Sequence, residues 1–138
     1  YRPFGSPIES PAGIQGKATQ FVMILDALQL RLLEKIRSDL AGYSVVRSTS
    51  PLDNRAIWLE IFAGGIHKGN SCQTLLKKLN INCKEVAGLG NDYNDIDFLD
   101  ICAEAYLVAN APVNLQRHYK LVRSDKEEGF TEFISKVL

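Results

Sequence analysis

After Gly65, short apolar runs alternate with stretches of helical periodicity, and this alternation restricts the possible folds more than any other feature of the sequence. In chain order the predicted elements are a helix at 69–79, a strand at 85–89, a helix at 95–102, strands at 105–109 and 119–123, and a helix that carries Phe130, Phe133, Ile134 and Val137. Strands that are linked through helices belong to a parallel sheet with right-handed crossovers. We therefore predict an α/β fold whose second part contains an open parallel sheet.

The first part of the chain has a different pattern. Residues 1–16 hold three prolines and three glycines, a density that predicts a loop. The apolar run at 21–25 is followed by Asp26, a good helix N-cap residue. Apolar residues then recur every four positions, at Leu28, Leu32, Ile36 and Leu40. This pattern predicts a strand and then an amphipathic helix that starts directly after Asp26.

Two further apolar runs, at 43–47 and 56–62, are separated by turn-forming residues at 50–54. They predict two strands of an antiparallel hairpin, the second of which has Ile57, Leu59 and Ile61 on one face. The pair Gly64 and Gly65 follows. We place the domain boundary there, which divides the chain into a β, α, β, β unit within residues 1–63 and the parallel α/β part at 64–138.

Charge and cysteine content exclude several classes of partner. The 16 basic and 16 acidic residues balance to a net charge of zero and are scattered, so no nucleic acid or anionic membrane surface is expected as a partner. The longest apolar stretches are far shorter than the roughly 20 residues of a membrane span. Three cysteines at unrelated spacings fit neither a disulfide framework nor a zinc site, which favours free thiols in the cytoplasm.

The candidate functional residues lie where ligands bind in open parallel sheets, beyond the carboxyl ends of the strands. Three polar loops occur there, at 90–95, 110–112 and 124–126. In the first, amide and carboxylate side chains follow Gly90, and such oxygen ligands suit a Mg²⁺ ion that also holds a phosphate. A second interpretation is that Asn91 or Asp92 only caps the next helix.

Lys68 is the other candidate, because it precedes Gly69 at the start of a predicted helix. A lysine in this position can meet an anion, although most lysines at such positions are solvated surface residues. His67 and His118 have no partner at a suggestive spacing, and we interpret both as structural or surface residues.

Several of these segments together resemble the haloacid dehalogenase-like phosphatases, in the sugar-phosphatase branch that has a large inserted α/β cap. The resemblance rests on residues 65–69, on 85–95 with its Asn94, Asp95 pair, on 108–111 and on 128–130. Residues 61–138 are similar to the C-terminal half of that family's Rossmann-like core, and residues 1–60 to the closing part of its cap. The resemblance thus implies a parallel core with part of an α/β cap.

For function, the resemblance implies a Mg²⁺-dependent phosphatase that acts on small phosphorylated metabolites, in particular sugar phosphates, through an aspartyl-phosphate. Lys68 would neutralise the nucleophile and the phosphate, and Asp95 would hold the water bound to the metal. Lys68, Asn94 and Asn110 would contact the phosphate or substrate. The family has Asp directly after the glycine, whereas this chain has Asn91 followed by Asp92, so the metal ligands would be Asp95 with either of these two.

The nucleophile of the family, an Asp that ends an apolar strand and has a second Asp two residues later, has no credible match. Asp95 and Asp97 have the spacing but follow a polar loop, and Asp26 has Leu28 at the partner position. We therefore expect the nucleophile in a missing N-terminal segment of the same protein or on another chain, and this chain alone to be inactive. The alternatives are a non-catalytic phosphate-binding or scaffold module, and a phosphomutase of the same superfamily.

Overall fold

The computed structural model describes residues 10, 12, 14, 16–50 and 56–138, arranged as two three-stranded sheets with helices. The predicted loop at 1–16 and the predicted turn at 50–54 therefore fall largely outside the described residues. Within the described ranges, no helix is long and apolar enough to cross a lipid bilayer.

The first sheet is antiparallel and has the order β1-β3-β2. Its elements are β1 (Phe21–Asp26), α1 (Leu32–Asp39), β2 (Tyr43–Thr49) and β3 (Ala56–Ala63). The predicted hairpin is present, because β2 and β3 pair antiparallel along their whole length. Alternation along β3 buries Ile57, Leu59 and Ile61, and Leu59 packs in a small core with Leu33 of α1. The three-residue face predicted for this strand is therefore correct.

The predicted helix start after Asp26 is wrong. Asp26 is the last residue of β1, and its Oδ1 accepts a hydrogen bond from the Leu28 backbone N–H at 2.9 Å. This contact stabilises a short 3-10 turn, so that α1 begins only at Leu32. Leu28 is 87% exposed, and Leu33 instead provides the buried contact of the helix. The local carboxylate-to-backbone hydrogen bond competes successfully with the helical repeat.

The second sheet is parallel and has the order β4-β5-β6, as the alternating pattern predicts. Its strands and helices are α2 (Lys68–Leu79), β4 (Ala87–Gly90), α3 (Ile96–Leu99), β5 (Glu104–Val108), α4 (Val113–Gln116), β6 (Lys120–Val122) and α5 (Gly129–Val137). Leu107 of β5 is fully buried and lies in the main core with Leu99 and Phe133. The boundary predicted at 63–64 falls between β3 and α2 and remains a prediction.

Two predicted elements of this part differ from the structure. The expected helix at 95–102 is a 3-10 turn over Tyr93–Asp95 that continues into the single turn of α3, because side chains of the loop cap the chain there. In α5, Phe133 packs edge to face on Tyr106, with ring centroids 5.4 Å apart. Phe130, another apolar residue of the predicted helix, is 65% exposed, and its ring centroid lies 6.4 Å from that of Phe133.

Gly69 allows α2 to approach α3 closely, and its substitution tests this packing. A Cβ at this position would collide with the backbone carbonyl oxygen of Asp97. We expect Gly69→Ala to lower the free energy of unfolding by about 2 kcal/mol, because the overpacking cost exceeds the gain in helix propensity. Gly42→Ala is the matched control, since a Cβ there meets no atom within 4 Å. Chemical denaturation measures both variants, and equal stabilities would contradict the close approach.

Candidate active site

Lys68 and Asp95 form an ion pair at the carboxyl end of β4. Lys68 is the first residue of α2, and its Nζ contacts Oδ1 of Asp95, which is 27 residues away in sequence. The Asp95 side chain is 8% exposed, whereas that of Lys68 is 51% exposed. The carboxylate is thus held inside the protein, while the ammonium group remains accessible to an anionic ligand.

The other oxygen of Asp95 organises the loop before it. Asp95 Oδ2 accepts hydrogen bonds from the backbone N–H of Asn91 at 2.7 Å and of Asp92 at 3.2 Å. Asp92 in turn caps the Tyr93–Asp95 turn by accepting from the Tyr93 backbone N–H at 2.8 Å. The capping interpretation of Asp92 is therefore correct. Capping does not exclude a role in ligand binding for the other residues of the loop.

Asn91 and Asp92, the two alternative metal ligands, have different surroundings. Asp92 is buried, and both of its carboxylate oxygens accept hydrogen bonds from Thr49 at the end of β2. Asn91 is exposed, and its side chain makes no hydrogen bond to any part of the chain that the structure describes. The Asn91 amide oxygen is therefore the freer of the two groups.

Asn94 and Asn110, the two predicted substrate-binding amides, are in different contacts. Asn94 lines a cleft together with Lys68. Asn110 exchanges two hydrogen bonds with Asp125, one from its Nδ2 to Asp125 Oδ1 at 2.8 Å and one from the Asp125 backbone N–H to its Oδ1 at 3.2 Å. Asn110 thus joins the loops that follow β5 and β6.

The cleft lies between the first sheet and the helices α2 and α3, and has a volume of about 420 Å³. Lys68 and Asn94 line one side, and Val46, Glu60 and Phe62 of the first sheet line the other. Glu60 Oε1 accepts a hydrogen bond from the buried Ser48 hydroxyl at 3.2 Å. Sequence reasoning missed Glu60, although the alternation of β3 contained the signal. Because Ile57, Leu59 and Ile61 share the buried face, Glu60 and Phe62 must lie on the other.

His67 has an acidic neighbour in the structure that its position in the sequence does not predict. It lines the same cleft, and its Nδ1 is buried 3.1 Å from Asp97 Oδ2. The two atoms are close enough for an ion pair, but they are not aligned for a hydrogen bond. The imidazole is therefore part of the cleft wall next to Lys68.

The oxygen donors of the 91–95 loop suit Mg²⁺ as part of a site. Among the described residues, no three or more His, Cys, Asp or Glu side chains are grouped to hold a metal ion. Mg²⁺ does not require such a group, because it commonly binds through one or two carboxylates together with water and substrate phosphate. The free amide oxygen of Asn91 fits that donor set, and so does the Asp95 carboxylate if it exchanges one of its present contacts with Lys68 or the loop backbone for the ion. Further ligands would have to come from elsewhere.

Comparison with known proteins agrees with this architecture. The sequence model of the haloacid dehalogenase-like hydrolases matches residues 9–134, which is nearly the whole chain. The chain belongs to the haloacid dehalogenase-like hydrolases.

Several solved structures share the fold of this chain. SMU.1108c of Streptococcus mutans is 22% identical to this chain, with a TM-score of 0.78, and the match covers 94% of this chain and 48% of SMU.1108c. A hydrolase of this family from Bacteroides thetaiotaomicron is 19% identical with a TM-score of 0.64, over 92% of this chain and 47% of its own. The subclass IIB sugar phosphatase BT4131 is 14% identical, with a TM-score of 0.69, and the match covers 85% of this chain and 42% of BT4131.

A sequence relative, BU028/BU029 of Buchnera aphidicola, carries a name that proposes phosphatase activity. It is 26% identical over 82 residues, which is 57% of this chain and 30% of that protein. This haloacid dehalogenase-like hydrolase chain thus spans less than half the length of these relatives. The resemblance to the family and the α/β class, both predicted from the sequence, are confirmed.

Proposed function

We propose that this chain supplies part of the cap and half of the active site of a Mg²⁺-dependent phosphatase that acts on small phosphorylated metabolites, in particular sugar phosphates. The observation that carries the proposal is the Lys68–Asp95 ion pair, whose accessible lysine lines the cleft between the first sheet and the helices α2 and α3. The name of the sugar phosphatase BT4131 and that of the Buchnera protein support the same activity. Three free cysteines support a cytoplasmic location.

Five of the six candidate residues have a role in this proposal. Lys68 stabilises the negative charge that the phosphate and its attacking group bring together. Asn94, which lines the cleft, donates a hydrogen bond to the phosphate, and Asn110 orders the neighbouring loop. Asp95 and Asn91 would hold Mg²⁺, which would spread the charge of the transferred group.

The nucleophile comes from outside these residues in this proposal. The Asp26 carboxylate accepts a hydrogen bond from the Leu28 backbone, and the Asp97 carboxylate lies beside His67. Neither residue is among those that line the cleft at Lys68. β4 is an outer strand, and among the described residues nothing pairs with its second edge. A further parallel strand on that edge would end beside Lys68 and Asp95. Its carboxylate would bond to phosphorus as the ester bond breaks, and water would then release phosphate.

Glu60 supports a substrate that carries hydroxyl groups. Its carboxylate lies in a largely apolar cleft wall and can accept hydrogen bonds from such groups. We expect Glu60→Ala to lower kcat/KM for sugar phosphates by about 10-fold to 100-fold, which is what the loss of a hydrogen bond to a charged group costs. Turnover of p-nitrophenyl phosphate, which has no hydroxyls to bind, should change little. Glu34→Ala on α1 is the matched control, since its side chain is 82% exposed. An equal loss on both substrates would contradict the assignment.

The full-length protein that contains this chain is the material for the test. We expect it to release inorganic phosphate from a panel of sugar phosphates and from p-nitrophenyl phosphate with Mg²⁺, and to stop when EDTA is added. Transfer of the phosphate within the sugar, without release, would identify a phosphomutase. Binding of phosphate without turnover would identify a non-catalytic module, the second candidate, which is favoured by the uncharged amide at Asn91.

A further inference from the structure

The first sheet holds the 91–95 loop through a contact between residues 43 positions apart in sequence. We propose that Thr49 is a positioning residue, which acts through Asp92 to keep the loop in the geometry that binds the metal. The inference rests on the proposed function, because that function assigns the loop to a metal site. The inference also gives Asp92 the contact with the first sheet and leaves Asn91 as the metal ligand.

The contact itself is a two-point clamp on a buried carboxylate. The Thr49 backbone N–H donates to Asp92 Oδ2 at 2.5 Å, and the Thr49 hydroxyl donates to Asp92 Oδ1 at 2.9 Å. Asp92 Oδ1 also accepts from the Tyr93 backbone N–H at 2.8 Å. The three donors hold a carboxylate that is 7% exposed in one position. Asp95 is held by three donors in the same way, whereas the exposed amide of Asn91 makes no hydrogen bond within the described part of the chain and can turn towards a metal ion without losing one.

Thr49 is itself held firmly. It is the last residue of β2 and pairs with Ile57 of β3. Directly after this pair, the Ser50 backbone N–H donates to the Ala56 carbonyl oxygen at 3.0 Å. The two donors of Thr49 are therefore fixed relative to the first sheet. A shift of that sheet would be transmitted directly to Asp92.

A second contact acts on the following residue of the loop. The Arg47 guanidinium lies 3.6 Å from the centre of the Tyr93 ring, a cation–π arrangement. The Tyr93 hydroxyl donates to Asn114 Oδ1 at 2.8 Å, which anchors the far end of the ring on α4. Arg47 and Thr49 are two residues apart on β2 and thus share one face of the strand. Two successive loop residues are therefore held from the same strand.

The Thr49–Asp92 contact is linked to the Lys68–Asp95 ion pair through the backbone of the loop. The backbone N–H groups of Asn91 and Asp92 both donate to Asp95 Oδ2, and Asp95 Oδ1 contacts Lys68. If Asp92 moves, these donors move with it, and so does the side chain of Asn91. Thr49 thus influences the proposed metal ligands without touching them.

The test compares Thr49→Val, which keeps the shape and removes the hydroxyl, with Thr49→Ser, which keeps the hydroxyl. Binding of Mn²⁺ to the full-length protein is followed by electron paramagnetic resonance, and Mg²⁺ binding is measured by competition. We expect Thr49→Val to weaken both by about 10-fold, as the loss of one bond to a buried charge predicts, and Thr49→Ser to restore binding to within about 2-fold. Thr131→Val, which removes an exposed hydroxyl on α5, is the matched control.

Asp92→Ala, alone and combined with Thr49→Val, completes a double-mutant cycle. Thr49→Val should have no further effect on metal binding once the Asp92 carboxylate is removed. Melting temperatures of all variants separate weaker metal binding from general unfolding, and Thr49→Ala replaces the valine variant if that one does not fold. The inference is overturned if Thr49→Val leaves metal binding unchanged or tightens it, if serine does not rescue it, or if the wild type binds neither ion.

The two proposals fail differently. If the wild-type protein binds Mn²⁺ with the expected dependence on Thr49 but releases no phosphate from any substrate, the phosphatase proposal is wrong and the positioning role stands. If phosphate release requires Mg²⁺ and Thr49→Val binds the metal as the wild type does, the positioning role is wrong and the phosphatase proposal stands.

Discussion

Substitution of Lys68 by alanine in the full-length protein is expected to lower kcat by about 10²-fold or more, with a much smaller change in KM. The lysine charge acts chiefly where negative charge accumulates in the transition state, so its removal affects turnover more than binding. Folding should change little, because Asp95 keeps the hydrogen bonds from the backbone N–H groups of Asn91 and Asp92.

Steady-state kinetics with p-nitrophenyl phosphate and with a sugar phosphate measure this effect. Lys78→Ala is the matched control, since Lys78 lies in the last turn of the same helix and is exposed. An unchanged kcat in Lys68→Ala would mean that Lys68 is a solvated surface residue. It would also leave the Lys68–Asp95 ion pair without a role in the proposed reaction.

Asn91→Asp is expected to tighten Mg²⁺ binding by about 10-fold, because the variant adds a full negative charge among hard oxygen ligands. The exposed Asn91 side chain makes no hydrogen bond within the described part of the chain, so its replacement sacrifices no contact there. Titration of activity against Mg²⁺, together with Mn²⁺ competition, measures the change. Asn82→Asp adds the same charge at the turn before β4 and should leave Mg²⁺ binding unchanged.

The opposite assignment gives a different result. If Asp92 were the ligand, Asn91→Asp would place two carboxylates side by side and would not improve binding, while Asp92→Asn would be the damaging change. If neither substitution altered the Mg²⁺ dependence, the 91–95 loop would not be the metal site, and the phosphatase proposal would lose its main support.

The sequence by itself determined the fold class, the order of the strands along the chain and the loops that contain the candidate ligands. These features follow from local geometry, because the two-residue period of a strand and the 3.6-residue period of a helix are properties of the backbone. Buried Ile57, Leu59 and Ile61 of β3 and the parallel arrangement of β4, β5 and β6 were both readable in this way.

Local reasoning was insufficient wherever a side chain had a choice of partners. The repeat through Leu28 predicted a helix, but the Asp26 carboxylate holds a 3-10 turn there, and the helix starts later. The apolar pattern of α5 includes both Phe130 and Phe133, although only Phe133 is buried and packs against Tyr106. Periodicity describes a face of an element but not how far the neighbouring element covers it.

Only the tertiary structure decided the contacts between residues distant in sequence. Lys68 meets Asp95 because α2 and the turn after β4 both lie at the carboxyl edge of the second sheet. Thr49 meets Asp92 because the end of β2 docks on that same turn. Neither pairing has a signature in residue spacing, since each depends on how two separately formed elements pack together.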